Sequence, residues 1–234
     1  MSKEVIILGC GPTRVECKYH CETWGVNGTY EFAKRLDKLF MTDEVSEVEA
    51  SIYNFQKIRK LNPTLVFPIA YPKFSKNGFK IELYPIEPIL QRFQTRFFSN
   101  SIAYMLAYAL LYDYTKIWFY GIDMMTYTTY AQEKGGVEFW MGVALGVSTE
   151  RRARGLEPIE VINTKGSATG KTWDGKMYGY WGQLQEERLK ERLFAPPEMI
   201  RVSKASAPQT EWIMVGGEYM KVETQVNAGE EIAQ

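Results

Sequence analysis

The sequence predicts an α/β protein with an open, mostly parallel sheet, helices on both faces, and a C-terminal helix and β-hairpin extension. Short apolar runs that end in glycine or a polar residue alternate with segments whose apolar residues recur every three or four positions. The 234 residues are 45% apolar and 24% charged, which suits one large globular domain with an appendage.

The first third of the chain supplies most of the predicted strands. Val5–Leu8 is a short apolar run that ends at Gly9, as a buried parallel strand does. Similar runs predict strands at Thr23–Asn27, Lys38–Thr42 and Lys80–Tyr84. Helices are predicted between them over residues 29–36 and 44–60. The prolines between Phe67 and Pro88 predict an irregular segment around the last of these strands.

The clearest helix follows a cluster of capping residues. One helical face is shared by Ile102, Met105, Leu106, Ala109 and Leu110. Ser99, Asn100 or Ser101 can cap its start. The run "KIWFYGID" then predicts a strand that ends at Gly121, and a second helix is expected over residues 137–155, with a basic last turn before Gly155. Ile159–Ile162 is the next predicted strand.

Composition changes after about residue 164. We expect residues 1–164 to form the α/β domain and residues 165–226 to form an extension. That extension has a loop rich in glycine and aromatic residues, a charged helix at 183–193 and a hairpin about Gly216 and Gly217. Residues 227–234 are polar and are predicted to be a disordered tail.

Charge and cysteine content exclude several classes of protein. Lysine plus arginine equals aspartate plus glutamate at 28 each, so a strongly basic nucleic-acid surface is not expected. Neither a secretory signal nor a membrane span is predicted. Three cysteines within the first 21 residues do not form a disulfide framework, so we expect a reduced, cytoplasmic protein. A tyrosine stripe (Tyr104, Tyr108, Tyr112) and the hairpin favour a homo-oligomer.

Polar or glycine-rich residues follow four of the predicted strands: Gly9–Thr13, Asn27, Asp43 and Asp123. Ligands of open parallel sheets bind beyond the carboxyl ends of strands, so these positions predict a site. Glycines let a phosphate approach the backbone, although the third glycine of a dinucleotide motif is missing and Pro12 lacks an N–H donor. A turn that merely ends the strand is an equally good interpretation.

Two other motifs are weaker. "GSATGKT" at residues 166–172 has three residues between its glycines where a P-loop needs four, and no helix is predicted after it. Cys10, Cys17, His20 and Cys21 do not have a regular zinc spacing, so free thiols and no metal site are predicted.

Two longer stretches resemble a known family. "VIILGCGPT…WGVNGTYEF" and "FFSNSIAYMLAYALLYDYTKIWFYGIDM" are similar to motifs of the bacterial sialyltransferases of glycosyltransferase family 42. They are similar also to the related MptE-like 6-hydroxymethylpterin pyrophosphokinases, and small phage-encoded proteins carry the pattern too. The resemblance covers about residues 4–130. It implies a Rossmann-like nucleotide-binding domain, and a viral, phage-encoded member of this superfamily is one option.

The resemblance also implies roles for particular residues. In the sialyltransferases, the glycine turn, an asparagine after the second strand and a serine at the start of the later helix hold the CMP donor. The matching residues here are Gly9, Gly11, Pro12, Thr13, Asn27 and Ser101. Cys10, which replaces the family's asparagine, and the neighbouring Asn100 and Asp123 complete the predicted nucleotide-binding set.

The catalytic residues are less well defined. Tyr127 and Tyr130 lie where the family places tyrosines that hold the leaving phosphate, whereas the family's downstream histidine has no counterpart after His20. Glu133 and Glu138 are nearby carboxylates that could act as a base, and Glu138 is included in the predicted catalytic set.

These features predict a nucleotide-binding transferase, most concretely a glycosyltransferase with a nucleotide-sugar donor. One alternative is an ATP pyrophosphokinase of the MptE-like type, which would need Mg²⁺ held by Asp43 and Asp123. Another is a non-catalytic nucleotide-binding or sequestering protein. The donor is unknown, and so is the acceptor, for which a modified base in nucleic acid is a further option.

Overall fold

A computed structural model of the chain describes residues 2–42, 53–70, 74, 77–124, 129–170, 209–215 and 218–224. The chain divides into two compact units, Met1–Lys171 and Thr172–Gln234. The first unit contains a sheet of seven strands, all parallel, in the order β5-β4-β3-β2-β1-β6-β7. Its strands are β1 Glu4–Leu8, β2 Glu22–Val26, β3 Lys38–Phe40, β4 Thr64–Phe67, β5 Ile81–Leu83, β6 Lys116–Tyr120 and β7 Glu160–Asn163. The predicted fold class is therefore confirmed.

Four helices are described in this unit: α1 Phe55–Leu61, α2 Ile86–Phe93, α3 Ser101–Leu111 and α4 Thr129–Ala153. Alternate side chains of the central strands enter two separate cores. Val5 and Ile7 belong to the core that contains α2, α3 and α4, while Ile6 and Leu8 belong to the core that contains α1. Helices thus cover both faces, as the near-continuous apolar runs of the strands predict.

Strand order reverses at β1, which lies between β2 and β6. The chain first builds the sheet outward from β1 to β5 and then returns to the other side of β1. The loops after β1 and β6 therefore leave the sheet in opposite directions, which opens a crevice beyond their carboxyl ends.

Several predicted elements differ from the structure. The helix predicted over residues 29–36 is wrong, because the chain forms a 3-10 turn at Asn27–Glu31 instead. An added side-chain carbon on Gly25 would lie 2.2 Å from Thr29 Oγ1 and 2.8 Å from Leu36 Cδ2, so this connection packs too closely on β2 for a helix.

Two elements were not predicted, β4 and α2. Each has a nearby proline, and a proline usually argues against a strand or a helix. β4 ends at the residue before Pro68, and α2 carries Pro88 in its first turn, where its missing N–H is not needed. α4 begins at Thr129, well before the predicted Val137, and Gly155 follows its end with a φ of +69°. Of the helix predicted over residues 44–60, only residues 53–60 lie within the described part of the chain, and there the helix begins at Phe55.

The second unit contains an antiparallel hairpin, β8 Gln209–Val215 and β9 Glu218–Thr224. Val215 pairs with Glu218, so the two strands pair up to the residues on either side of the predicted glycine pair, which itself lies outside the described residues. The predicted helix at 183–193 and the predicted tail at 227–234 lie outside the described residues. Within the described part of the chain, no helix combines the length and the hydropathy that a membrane span requires.

The ends of β1 and β6 touch through their backbones. The Gly9 N–H donates to Tyr120 O and the Gly11 N–H donates to Gly121 O, each over 2.8 Å. Gly121 has a φ of +69°, and an added side-chain carbon there would lie 2.5 Å from Gly9 O. Neither position can accept a side chain without separating the two strand ends.

We expect Gly121→Ala to lower the free energy of unfolding by at least about 2 kcal/mol, because alanine is disfavoured at positive φ and would also collide with Gly9. Gly142→Ala is the matched control. Gly142 is exposed within α4 and has open space around it, so alanine should stabilise the protein by about 0.5–1 kcal/mol. Urea unfolding midpoints measure both, and equal effects would contradict the close contact.

Candidate functional site

A cavity of about 640 Å³ lies at the strand reversal, within the range of small-molecule sites. Three distant segments line it: the turn Gly9–Pro12, Asn27 after β2, and residues 98–102 at the start of α3. Residues 121–124 after β6 also line it, as do Val26, Thr42, Tyr104 and Glu133. Of the predicted nucleotide-binding residues, all but Thr13 line this cavity.

Thr13 instead holds the strand ends together. Its N–H donates to Asp123 Oδ2 over 2.9 Å and its hydroxyl donates to Asp123 Oδ1 over 2.6 Å. The same hydroxyl oxygen accepts from the Gly121 N–H at 2.9 Å and from the Thr164 hydroxyl at 3.0 Å. One donated and two accepted bonds use the full capacity of a hydroxyl group. Thr13 therefore connects β1, β6 and β7 where the cavity begins.

The glycine turn makes room for the protein's own atoms. An added side-chain carbon on Gly11 would lie 2.3 Å from Asp123 Oδ2, and one on Gly9 would lie 2.4 Å from Gly121 O. Asp123 is buried, and both of its carboxylate oxygens accept bonds from Thr13. It thus serves as a structural acceptor at the edge of the cavity.

The segment after β7 holds the end of β6 in place. The hydroxyls of Ser167 and Thr169 both donate to Ile122 O, at 2.8 and 2.9 Å, and both side chains are buried. The Ala168 N–H donates to Asp123 O at 3.2 Å. The described part of the "GSATGKT" stretch thus contributes to the fold through its hydroxyls.

Asn27 is the predicted residue with an unused polar atom. It adopts a left-handed conformation, with φ of +46°, directly after β2. Its Oδ1 is buried and has no hydrogen-bond partner among the described residues. A buried acceptor without a partner is costly, so this atom is well placed to accept a bond from a ligand.

The start of α3 also faces the cavity. Asn100 caps the helix, since its Oδ1 accepts from the Ala103 N–H at 2.9 Å while its Nδ2 donates to Glu133 O at 2.9 Å. The hydroxyls of Ser101 and Thr42 are hydrogen-bonded at 2.6 Å. The first backbone N–H groups of the helix have no partner within it, and with the helix dipole they favour an anion.

The described charged residues that line the cavity are acidic. They are Asp123 and Glu133, and no lysine or arginine occurs among the described residues of the lining. Arg14 is close by, but its guanidinium donates to Cys10 O at 2.6 Å and lies over the Phe32 ring. A bound phosphate would therefore depend on N–H groups, hydroxyls or an accompanying cation.

The cysteine thiols are not activated. Burial raises the pKa of the Cys10 thiol, although Arg14 opposes the shift. Burial, followed by the charges of Glu4 and Glu22, raises the pKa of Cys21 to about 11. Near neutral pH both are protonated, so Cys10 offers the cavity a neutral thiol and no nucleophile.

The predicted catalytic residues are only partly described. Tyr127 lies outside the described residues, as does the alternative magnesium ligand Asp43, and of Tyr130 only the helical backbone is described. Glu138 is not among the described residues that line the cavity. Its carboxylate accepts from the Gly170 N–H at 2.9 Å and lies 3.3 Å from Lys134 Nζ.

The cavity includes residues that the sequence did not predict as nucleotide contacts. Thr42 follows β3, and Phe98 stacks on Tyr104 with ring centroids 4.4 Å apart. Glu133, which the sequence offers only as a carboxylate near the predicted catalytic tyrosines, also lines the cavity. Thr42 could have been found by the same strand-end rule that selected Asn27, since its predicted strand ended there.

Fold and site together define an α/β protein with a ligand-sized cavity at the strand reversal. No known family model matches the sequence, and no curated protein sequence matches it. Among solved structures, the sialyltransferase CstII from Campylobacter jejuni with CMP is 18% identical over 69% of this chain and 79% of its own, with a TM-score of 0.41.

Two further structures are similarly distant. The α-2,3-sialyltransferase from Campylobacter jejuni in apo form is 14% identical over 69% of this chain and 75% of its own, with a TM-score of 0.43. Thiamine pyrophosphokinase from Bacillus subtilis is 13% identical over 69% of this chain and 60% of its own, with a TM-score of 0.36. Structural similarities this distant do not indicate which chemistry the chain performs.

We expect Thr13→Val to lower the free energy of unfolding by about 3 kcal/mol, because it removes the hydroxyl that pairs with the buried Asp123 Oδ1 and with the Gly121 N–H. Thr13→Ser keeps the hydroxyl and should cost about 1 kcal/mol for the lost methyl group. Urea unfolding of the two variants makes the comparison. A valine variant as stable as the serine variant would show that these hydrogen bonds contribute little.

Proposed function

We propose that the chain is a nucleotide-binding transferase, most specifically a glycosyltransferase that uses a nucleotide-sugar donor. The observation that carries the proposal is the meeting of Gly9–Pro12, Asn27 and Ser101 around one cavity. These residues come from the two stretches that resemble the sialyltransferases of family 42. Their convergence supports the proposal that they bind one ligand.

In this proposal Asn27 Oδ1 accepts a hydrogen bond from the nucleoside, and the Thr42–Ser101 hydroxyl pair contacts the ribose or the phosphate. The phosphate lies at the start of α3, where the helix dipole places partial positive charge. Phe98 and Tyr104 offer an aromatic surface for a base or a sugar. Tyr127 and Tyr130 keep the proposed role of stabilising the leaving phosphate.

The base that activates the acceptor is proposed to be Glu133. The chain's single histidine, His20, lies 3.9 Å from Glu4, at the amino end of β1. The cavity lies beyond the other end of that strand, roughly 13 Å away at the usual rise per residue. Glu133 lines the cavity, whereas Glu138 is not among the described residues that line it.

A Mg²⁺-dependent ATP pyrophosphokinase is the second candidate, and the acidic lining favours it. Without lysine or arginine among the described lining residues, a triphosphate would need a metal cation to balance its charge. Asp123 already accepts two bonds from Thr13, so in this version the metal would be held chiefly by the phosphates.

Nucleotide binding can be tested by thermal shift with CMP, UDP, GDP and ATP, each with and without Mg²⁺. We expect CMP or a nucleoside diphosphate to stabilise the protein without metal, by about 2.7 kcal/mol at a hundredfold excess over Kd. Asn27→Gly keeps the left-handed backbone and removes the carboxamide. It should weaken binding about fivefold to fifteenfold, and Ser101→Ala similarly.

Thr149→Ala, on the exposed side of α4, is the control and should bind like the unchanged protein. A requirement for ATP with Mg²⁺ would favour the pyrophosphokinase. Binding without transfer or hydrolysis of any donor would favour a sequestering protein. If Asn27→Gly and Ser101→Ala both bind with unchanged affinity, the site is assigned incorrectly.

The proposed base can be tested by release of free nucleotide from the donor that the binding panel selects. Glu133→Gln should lower this rate by about 10²–10⁴-fold, the usual contribution of a general base. Glu138→Gln keeps its acceptor oxygen for Gly170 and should have a much smaller effect. The reverse result would return the catalytic role to Glu138.

A further inference from the structure

The chain's only histidine lies in a cluster of three different metal-binding side chains. Glu4 begins β1, and Cys21 immediately precedes β2, next to His20. Among the residues that the structure describes, these three each offer one ligand atom, and all three atoms lie within 4.8 Å of one another. The sequence alone did not indicate this set, because Glu4 is sixteen positions before His20 and forms no local motif with it.

Strand pairing explains how Glu4 joins the cluster. Val5 pairs with Glu22 across β1 and β2, so the preceding residues, Glu4 and Cys21, lie side by side at the amino end of the sheet. Side chains alternate along a strand, so Glu4 has the same orientation as Ile6. Cys21 packs against the core that contains Ile6. The carboxylate and the thiol therefore share one face of the sheet.

A third strand fixes the orientation of two of these side chains. Trp118 in β6 donates its indole N–H to Glu4 Oε2 at 3.1 Å, and its ring packs edge-on against His20 at 5.0 Å. Metal-binding carboxylates are commonly held by such a second hydrogen bond, which sets their direction. The three groups are thus positioned by β1, by β6 and by the segment that leads into β2.

The chemistry of the set selects a particular class of cation. Imidazole nitrogen, thiolate and carboxylate together suit Zn²⁺, which accepts nitrogen, sulfur and oxygen ligands. Metal binding would release the proton of the Cys21 thiol to solvent, and the resulting thiolate and the Glu4 carboxylate would balance the charge of a dication. The only described ion pairs of Glu4 are with His20 and with Lys116, whose Nζ lies 3.7 Å from Oε1. A bound dication would replace the ammonium as the partner of this carboxylate.

We propose that Glu4, His20 and Cys21 form a binding site for Zn²⁺ or a chemically similar transition-metal ion, with water as the fourth ligand. The site links the start of β1 to the start of β2. It lies at the opposite end of β1 from the nucleotide cavity and is independent of the function proposed for that cavity.

The test titrates the full chain, free of any affinity tag, with Co²⁺ as a spectroscopic probe and then with Zn²⁺ as competitor. We expect one equivalent of Co²⁺ to produce a thiolate-to-metal charge-transfer band, and Zn²⁺ to abolish it. Zn²⁺ should also raise the melting temperature.

His20→Gln and Cys21→Ser should each lose the band. Trp118→Phe keeps an aromatic ring but removes the N–H, and should weaken binding roughly tenfold.

Two controls separate this site from metal binding elsewhere on the chain and from loss of folding. Cys10→Ser removes an exposed thiol outside the cluster and should leave metal binding unchanged. His20 is exposed, so His20→Gln should fold normally and keep any thermal shift that a nucleotide produces. Absence of the charge-transfer band, or equal metal affinity in the unchanged protein, His20→Gln and Cys21→Ser, would overturn the proposal.

Discussion

The architecture depends on the connection between Thr13 and Asp123. A strand reversal separates the loops after β1 and β6, and the resulting crevice needs something to hold its two sides at a fixed distance. Thr13 does this with a backbone and a side-chain bond to one carboxylate, at 2.9 and 2.6 Å. Its hydroxyl also accepts from Gly121 and Thr164, so three parallel strands are joined at one atom.

This connection explains the glycines of the opening turn. Gly9 and Gly11 are required because Gly121 and Asp123 occupy the space where their side chains would lie. Both N–H groups are already used by carbonyls of β6 and the residue after it. The turn therefore shapes the cavity, while the groups suited to a ligand come from elsewhere: the unpartnered Asn27 Oδ1 and the start of α3 with its helix dipole. A glycine-rich turn at a strand end is thus weak support for a particular cofactor.

Sequence patterns predicted the parts of this molecule that depend on local chemistry. Apolar runs located β1, β2, β3, β5, β6 and β7, and the capping residues located the start of α3 to within one position. The failures have tertiary causes. Residues 29–36 pack on Gly25 too closely for a helix, and the prolines near β4 and α2 occupy positions that tolerate them. The Thr13–Asp123 bond joins residues 110 positions apart, so no local pattern could reveal it.

The electrostatics of the cavity restrict what it can hold. The end of a helix supplies roughly half a positive charge, which suits one phosphate group but leaves most of the charge of a triphosphate unbalanced. Asp123 and Glu133 add negative charge to the lining, and the nearby Arg14 is already bonded to Cys10 O. Among the described residues, the cavity therefore favours a ligand with little phosphate charge, or one that brings its own metal ion. This difference in charge separates a sugar donor with one phosphate from ATP more clearly than the shape of the cavity does.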